Sequence, residues 1–179
     1  DALTLPTNGE AVFNEDGIVI YTPNDNFVGV DTFMYTACDQ GTDVCSTAMV
    51  TVNVILAVDD VSGTPQEQAV TIPVLQNDHG DDLAISSFTQ PSNGVALVQT
   101  DGSGITYVPD DNFVGIDTFT YLACVNNENG TVSDICDEGT VTIDVILAVD
   151  DVSGTPHETS LTISVLDNDH GGNLTVQTT

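Results

Sequence analysis

The sequence contains no lysine and no arginine, although it is 179 residues long and carries 28 Asp plus Glu. A chain of average composition would hold about twenty basic side chains at this length. Because the formal net charge is −28, almost nothing in the chain can neutralise a phosphate. This absence excludes nucleic-acid binding, electrostatic docking on an anionic membrane, and any reaction that needs a lysine or an arginine. Such a surface attracts cations, and a divalent metal ion is the natural candidate.

Other features are also missing. Tryptophan is absent, no apolar run approaches the roughly 20 residues that span a bilayer, and no stretch keeps a 3.6-residue hydrophobic period. A catalytic serine turn is missing too, so we do not expect an enzyme. The hydrophobic content of 40% excludes a disordered acidic tail, because such tails lack core-forming side chains.

Two blocks of sequence occur twice. Residues 57–64 and 148–155 both read AVDDVSGT, 91 residues apart. Residues 25–33 read DNFVGVDTF and residues 111–119 read DNFVGIDTF, 86 residues apart. The five-residue difference falls between the two cysteines of each copy, where a change of length predicts a surface loop.

This repeat divides the chain into three segments. Residues 1–56 are the C-terminal part of one repeat, residues 57–147 are a complete repeat, and residues 148–179 are the N-terminal part of the next. Both ends fall at nearly the same point of the repeat. We therefore expect either a window of a longer tandem array or a subunit whose partial repeats are completed by neighbouring copies, and both arrangements are head-to-tail polymers.

Each repeat has the pattern of short strands separated by turns. Residues 95–99 and 105–108 flank Asp101-Gly102, which is a hairpin signal. Residues 119–124 and 141–147 alternate between apolar and polar side chains. Further strands are expected at residues 69–75 and, in the next copy, at residues 160–166. About seven strands in about 90 residues are typical of a β-sandwich. The sequence therefore predicts an all-β chain of tandem seven-stranded sandwiches.

The order of motifs resembles a known family. Each repeat carries V-L-x-N-D, P-x-N-G and Y-x-P-x-x-N-F-x-G-x-D-T-F-x-Y, and ends in an A-x-D-D linker. This order resembles the immunoglobulin-like, cadherin-like tandem repeats of large bacterial surface proteins and adhesins. The resemblance implies extracellular display, many copies and Ca²⁺ between domains. Relatives often carry D-x-D-G-D after N-D, whereas this chain has GDD at 80–82 and GGN at 171–173.

Acidic side chains are expected to meet at the ends of the sandwiches, because the strand directions bring three separate segments to each junction. Ca²⁺ takes six to eight oxygen ligands, whereas Mg²⁺ requires a tighter octahedron. The simpler interpretation is that Asp and Asn populate turns, and that Asp31 and Asp117 bond to their own turns. The predicted calcium ligands are Asp59, Asp60, Asp78, Asp25 and Asp31 at one junction and Asp150, Asp151, Asp169, Asp111 and Asp117 at the other.

The four cysteines form two close pairs, Cys38/Cys45 and Cys124/Cys136. Each pair brackets a hairpin loop, so we predict one disulfide within each copy and an oxidising compartment. A metal site would need more Cys or His than are present. The equivalent histidines His79 and His170 are interpreted as exposed turn residues rather than as ligands of a soft metal.

Other polar side chains suggest modification or structural bonding. Asn129 and Asn173 begin N-x-T sequons, which are possible N-glycosylation sites. Threonines on strand faces are possible sites of O-glycans. Tyr35 and Tyr121 precede a cysteine in a strand and are expected to be hydrogen-bonded corner tyrosines.

Together these features favour a structural protein. The first hypothesis is a segment of an extracellular filament or adhesin stalk, in which Ca²⁺ at the junctions and intradomain disulfides stiffen a row of immunoglobulin-like domains. One alternative is a carbohydrate- or ligand-binding module. Against it count the absence of Trp and the position of most Tyr and Phe residues in strand patterns or in the repeated N-F-x-G block. Another is a non-covalent, pilus-like subunit completed by its neighbours.

Overall fold

The computed structural model describes residues 3–14, 17–127 and 131–177, and the regular structure in these ranges consists of strands without helices. The predicted all-β class is therefore confirmed. In the described ranges, no helix is long and apolar enough to cross a membrane. The strands are β1 (Gly9–Phe13), β2 (Val19–Pro23), β3 (Gly29–Cys38), β4 (Cys45–Val54), β5 (Asp60–Pro65), β6 (Val70–Ile72), β7 (Leu83–Phe88), β8 (Gly94–Val98), β9 (Ile105–Pro109), β10 (Gly115–Asn126) and β11 (Val132–Ile146).

The chain forms two compact units. The first comprises Asp1–Leu56, Asp78–Leu83 and Cys124–Asp137, and the second comprises Ala57–Asn77, Ala84–Ala123 and Glu138–Thr179. In the first unit, β1 pairs antiparallel with β2, and β3 pairs antiparallel with β4. The long β3–β4 ladder ends with the two cysteines opposite each other, so the disulfide closes the hairpin at its tip.

The complete repeat, residues 57–147, places its described strands in two sheets. One has the order β6-β9-β8, with antiparallel pairing to β9 on both sides. The other has the order β5-β11-β10-β7. Its first strand, β5, lies parallel to the last strand, β11, in a register that runs from Asp60 opposite Val141 to Pro65 opposite Ile146. The first and the last strand of the repeat are thus neighbours in one sheet.

Alternating side chains of these strands form the core. In β11, Val141, Ile143 and Val145 are completely buried, whereas Thr142 and Asp144 between them are half-buried. This period of two is what a strand with one buried face requires. The largest completely buried side chains are Tyr107, Tyr121, Ile105, Ile143, Val74, Val141, Val145 and Cys124.

The strand expected at residues 69–75 is shorter than predicted. Only Val70–Ile72 form β6, and a turn follows in which the Gln76 N–H donates to the Pro73 carbonyl. Proline has no N–H to continue a ladder, so the pairing stops where Pro73 begins. Val74 is nevertheless completely buried, which explains why its apolar character resembled a continued strand.

Residues 148–177 contain no strand in the described structure, so the strand expected at residues 160–166 was a wrong prediction. Its equivalent in the complete repeat, β6, is formed by pairing with β9. A single strand has no partner for its backbone groups, whatever its pattern. The local contacts do persist, since Leu147 bridges His170 just as Leu56 bridges His79.

Candidate functional site

A buried aspartate occupies the start of β10. Asp117 is 4% exposed. One of its carboxylate oxygens accepts the N–H of Ser92 at 3.2 Å and of Thr118 at 3.0 Å, and the other accepts the N–H of Asn93 at 2.9 Å and the Tyr107 hydroxyl at 3.1 Å. This carboxylate therefore holds the P-x-N-G turn and β9 against β10.

The same arrangement is present in the partial repeat. Asp31, also 4% exposed, accepts the N–H of Thr7 at 3.2 Å and of Thr32 at 2.9 Å, the N–H of Asn8 at 2.8 Å and the Tyr21 hydroxyl at 3.0 Å. We call each set of a carboxylate, a tyrosine and the P-x-N-G turn an aspartate–tyrosine cluster. Its recurrence shows that it belongs to the repeat.

Electrostatics fix the protonation state of these groups. Burial raises the pKa of Asp31, but the hydrogen bonds from Asn8, Thr32, Tyr21 and Thr7 outweigh it, so the pKa lies below its usual value. Burial and the neighbouring carboxylate Asp117 raise the pKa of Tyr107 well above its usual value. Asp31 is therefore ionised and Tyr107 protonated near neutral pH.

This geometry bears on the predicted calcium ligands Asp31 and Asp117. An ionised carboxylate offers about four lone-pair positions, and four donors surround each of these groups. The geometry therefore matches the alternative interpretation, in which these side chains bond to turns. Sequence reasoning missed the tyrosine partners Tyr21 and Tyr107, although a signal was present, because each precedes its aspartate by ten residues in both copies.

An asparagine holds the linker in each copy. The Asn168 side-chain amide donates to the carbonyls of Val149 and Asp150, both at 3.3 Å, and Asp169 accepts the Val149 N–H at 2.7 Å. In the preceding copy, Asn77 donates in the same way to the Val58 carbonyl at 3.2 Å and the Asp59 carbonyl at 3.4 Å. The N-D pair thus fixes the backbone of the acidic linker.

The remaining predicted ligands lie in varied surroundings. Asp59 accepts the Thr140 N–H at 2.8 Å, and with Asp60 and Asn77 it lines an open cavity of about 360 Å³. Asp60, Asp78 and Asp169 are half-buried, whereas Asp25, Asp111, Asp150 and Asp151 are exposed at the surface. In residues 3–14, 17–127 and 131–177, no three acidic, histidine or cysteine side chains form a group that could hold a metal ion. The calcium ligand sets stay predictions.

Both predicted disulfides are present, one joining Cys38 to Cys45 and the other Cys124 to Cys136. The side chains of His79 and His170 are exposed. Of the two sequons, Asn173 is exposed, whereas Asn129 lies outside the described residues.

The predicted corner tyrosine is confirmed for Tyr121. Its hydroxyl donates to the Val74 carbonyl at 2.9 Å and to the Val58 carbonyl at 3.3 Å. Because Val58 lies in the linker that precedes β5, this bond ties the entry of the repeat to its core strand β10.

Repeated all-β units of this kind, each stapled by a hairpin disulfide, define a tandem immunoglobulin-like chain. The chain belongs to the bacterial Ig domain family, which matches twice in succession, at residues 1–53 and 54–144. This is a non-enzymatic type of domain.

Comparisons with curated proteins and with solved structures give no information about activity. No curated protein matches the chain, whereas seven solved chains do. One of these is similar over 79% of this chain: the endo-fucoidan hydrolase MfFcnA9 from glycoside hydrolase family 107, at 15% identity and a TM-score of 0.29. The present chain spans about a quarter of that protein's length (26%). A likeness this weak carries no argument about activity.

Proposed function

We propose that this chain is a structural segment of an extracellular filament or adhesin stalk, in which immunoglobulin-like domains follow one another head to tail. The observation that carries the proposal is the pair of consecutive family matches at residues 1–53 and 54–144. The two disulfides support an oxidising location outside the cell. The absence of Lys and Arg would also deny trypsin-like proteases any cleavage site in such an exposed position.

We further propose that Ca²⁺ stiffens the junctions between repeats. After the complete repeat, the ligands would come from Asp150, Asp151 and Asp169, with Asp111 at the same end of the repeat. Support comes from Asn168 and Asp169, which fix the linker backbone, and from the lack of any Lys or Arg to balance these charges. By repeat equivalence, Asp59, Asp60, Asp78 and Asp25 would serve the preceding junction.

The mechanism would be mechanical. An ion that binds carboxylates of the linker and of a flanking domain stabilises only the docked arrangement. It therefore removes freedom at the hinge and turns a flexible row of domains into a rod. Asp31 and Asp117 would support this role indirectly. Each holds a P-x-N-G turn, and the asparagine carbonyl of that turn accepts the N–H of Asn24 or Asp110, at the start of the loop that carries Asp25 or Asp111.

The test is calcium binding and stiffness of the whole chain. We expect isothermal titration to show Ca²⁺ uptake, and small-angle scattering to show a more extended and less variable shape with Ca²⁺ than with a chelator. The variant Asp150→Ala with Asp151→Ala should weaken both effects, because only the preceding junction keeps its linker acids. A control with the same change of charge at exposed positions away from the junction, Glu10→Ala with Asp134→Ala, should keep them. The proposal of junction calcium would be wrong if chelation changed neither the scattering nor the melting temperature.

A further inference from the structure

The two methionines of the chain lie opposite each other in the β3–β4 hairpin. Met34 in β3 and Met49 in β4 occupy directly opposite positions of the antiparallel ladder. Just beyond the strands, the Asp39 N–H donates to the Val44 carbonyl at 2.9 Å, which makes the odd-numbered residues of β3 the hydrogen-bonded positions. Met34 and Met49 therefore form a non-hydrogen-bonded pair, in which the Cβ atoms of opposite side chains lie about 4.5–5.5 Å apart.

Both thioethers lie on the outward face of this hairpin. Side chains alternate between the two faces of a strand, and Asp31 and Phe33, which share the inward face of β3, are each 4% exposed. Met34 therefore points away from the core. It is 42% exposed, and Met49 on the same face is 65% exposed. This direction is set by the pleat of the two strands themselves, so it does not depend on any neighbouring strand.

The fold does not require methionine at these two positions. In the complete repeat, the equivalents of Met34 and Met49 are Thr120 and Thr140. The backbone surroundings are the same at the first position, because Met34 and Thr120 each donate their N–H to a threonine hydroxyl at 2.8 Å. Two short polar side chains thus serve in one repeat where the other has two thioethers. Packing of the repeat therefore leaves the methionine pair unexplained.

The side chains around the pair are uncharged. The flanking pairs on the same face are Thr32–Thr51 and Thr36–Thr47. The disulfide between Cys38 and Cys45 ends the ladder on this face, but its sulfur atoms are bonded to each other and provide no thiolate. Oxygen ligands suit hard cations, whereas thioether sulfur selects soft ions such as Cu⁺. The two methionine sulfurs are therefore the soft donors of this face.

We propose that Met34 and Met49 together bind one soft monovalent metal ion, of the class of Cu⁺ and Ag⁺, with one sulfur ligand from each strand. Methionine is unbranched and has three rotatable side-chain bonds, so both sulfur atoms can reach a single ion above the hairpin. The formal net charge of −28, without any Lys or Arg, raises the concentration of cations near the surface. The site is separate from the predicted calcium ligands, which are all aspartates, and it needs no neighbouring repeat.

The test is nuclear magnetic resonance of isotope-labelled methionine methyl groups in the full chain with its disulfides intact, titrated with Ag⁺ in chloride-free buffer. Because the chain has two methionines, the two signals report on this pair alone, whatever Ag⁺ does at the histidines. We expect both signals to move together with one common affinity. Met34→Leu or Met49→Leu should weaken binding at the remaining methionine at least about tenfold. The matched control Val30→Leu, at an exposed apolar position of the same face, should change the affinity less than about twofold.

Leucine keeps the approximate size and the apolar character of methionine, so weaker binding in these variants reports the loss of sulfur. Melting temperatures equal to that of the parent chain exclude unfolding as the cause. The proposal is overturned if about 1 mM Ag⁺ moves neither signal, or if each methionine keeps its affinity when the other is leucine. Ca²⁺ is a hard cation and should leave both signals in place, whether or not it binds at the junctions. An equal response to Ca²⁺ and Ag⁺ would also contradict a soft-metal site.

Discussion

The complete repeat and the partial repeat of residues 3–56 share their motifs but not their burial. Both contain the aspartate–tyrosine cluster with nearly equal distances, and both have a disulfide that joins the two strands of a hairpin. Their core side chains differ, because Tyr121 is buried and Tyr35 is not. The difference shows that hairpins and clusters form from sequence within each half of a repeat, whereas the core requires both halves.

The largest expected effect tests the core of each repeat. Tyr121→Ala should lower the free energy of unfolding by about 3–5 kcal/mol, because it removes a completely buried ring. Tyr35→Ala should cost about 1 kcal/mol or less, because its ring is already partly in water. Chemical denaturation of both variants checks the contrast. Equal losses would mean that the partial repeat has a core of its own.

Removal of the disulfides should have the next largest effect on stability. In the loop-entropy description, the stabilisation grows with the residues enclosed. Cys38→Ala with Cys45→Ala should cost about 2.5 kcal/mol, and Cys124→Ala with Cys136→Ala about 3 kcal/mol, since the separations are 7 and 12 residues. Melting curves of the two double variants show which of the two losses of stability is larger. A larger loss at the shorter loop would show that something other than chain entropy dominates.

Disruption of the aspartate–tyrosine cluster should lower stability equally in both repeats. The core tyrosines, in contrast, should differ between the repeats. Asp117→Ala and Asp31→Ala each leave backbone N–H donors of a P-x-N-G turn without their acceptor. We expect similar falls in melting temperature, several times larger than that of Asp111→Ala, whose side chain is exposed. Hydrogen exchange at Asn8 and Asn93 localises the effect. A harmless Asp31→Ala beside a damaging Asp117→Ala would refute the equivalence of the two clusters.

The smallest effect expected is the pH dependence. Because its folded pKa is lowered, Asp31 contributes stability above the ordinary carboxyl pKa of 3.8, and this is lost as the pH falls through the lowered value. The pKa values of Tyr21 and Tyr107 are raised, so their contribution is present below the ordinary value of 10.0 and is lost as the pH rises above it. The contribution of these three groups should be constant between these limits. Asp31→Asn should reduce the acid-side slope, and an unchanged slope would contradict this assignment.

Local signals in the sequence predicted much of the fold. Asp101-Gly102 predicted the β8–β9 hairpin, and the spacing of the cysteines predicted both disulfides. The bonds from Asp117 to the P-x-N-G turn could not be read in the same way, because they join residues 24 and 25 apart, and only the fold fixes the position of that turn. The strand at residues 160–166 failed for a related reason, since its apolar pattern says nothing about whether a partner strand is present. The calcium ligands depend on the expected strand directions, and they stay predictions.

The closed hairpin tips have a consequence for how such repeats diverge. The disulfide between Cys38 and Cys45 leaves six residues beyond it, whereas the one between Cys124 and Cys136 leaves eleven. Because each bond ties the two strands of its hairpin together, a change in the number of residues beyond the bond does not pull on the strands before it. Each repeat therefore carries a site where insertions can accumulate without loss of the fold. Along a stalk, these tips would be the positions at which otherwise similar domains acquire separate surfaces.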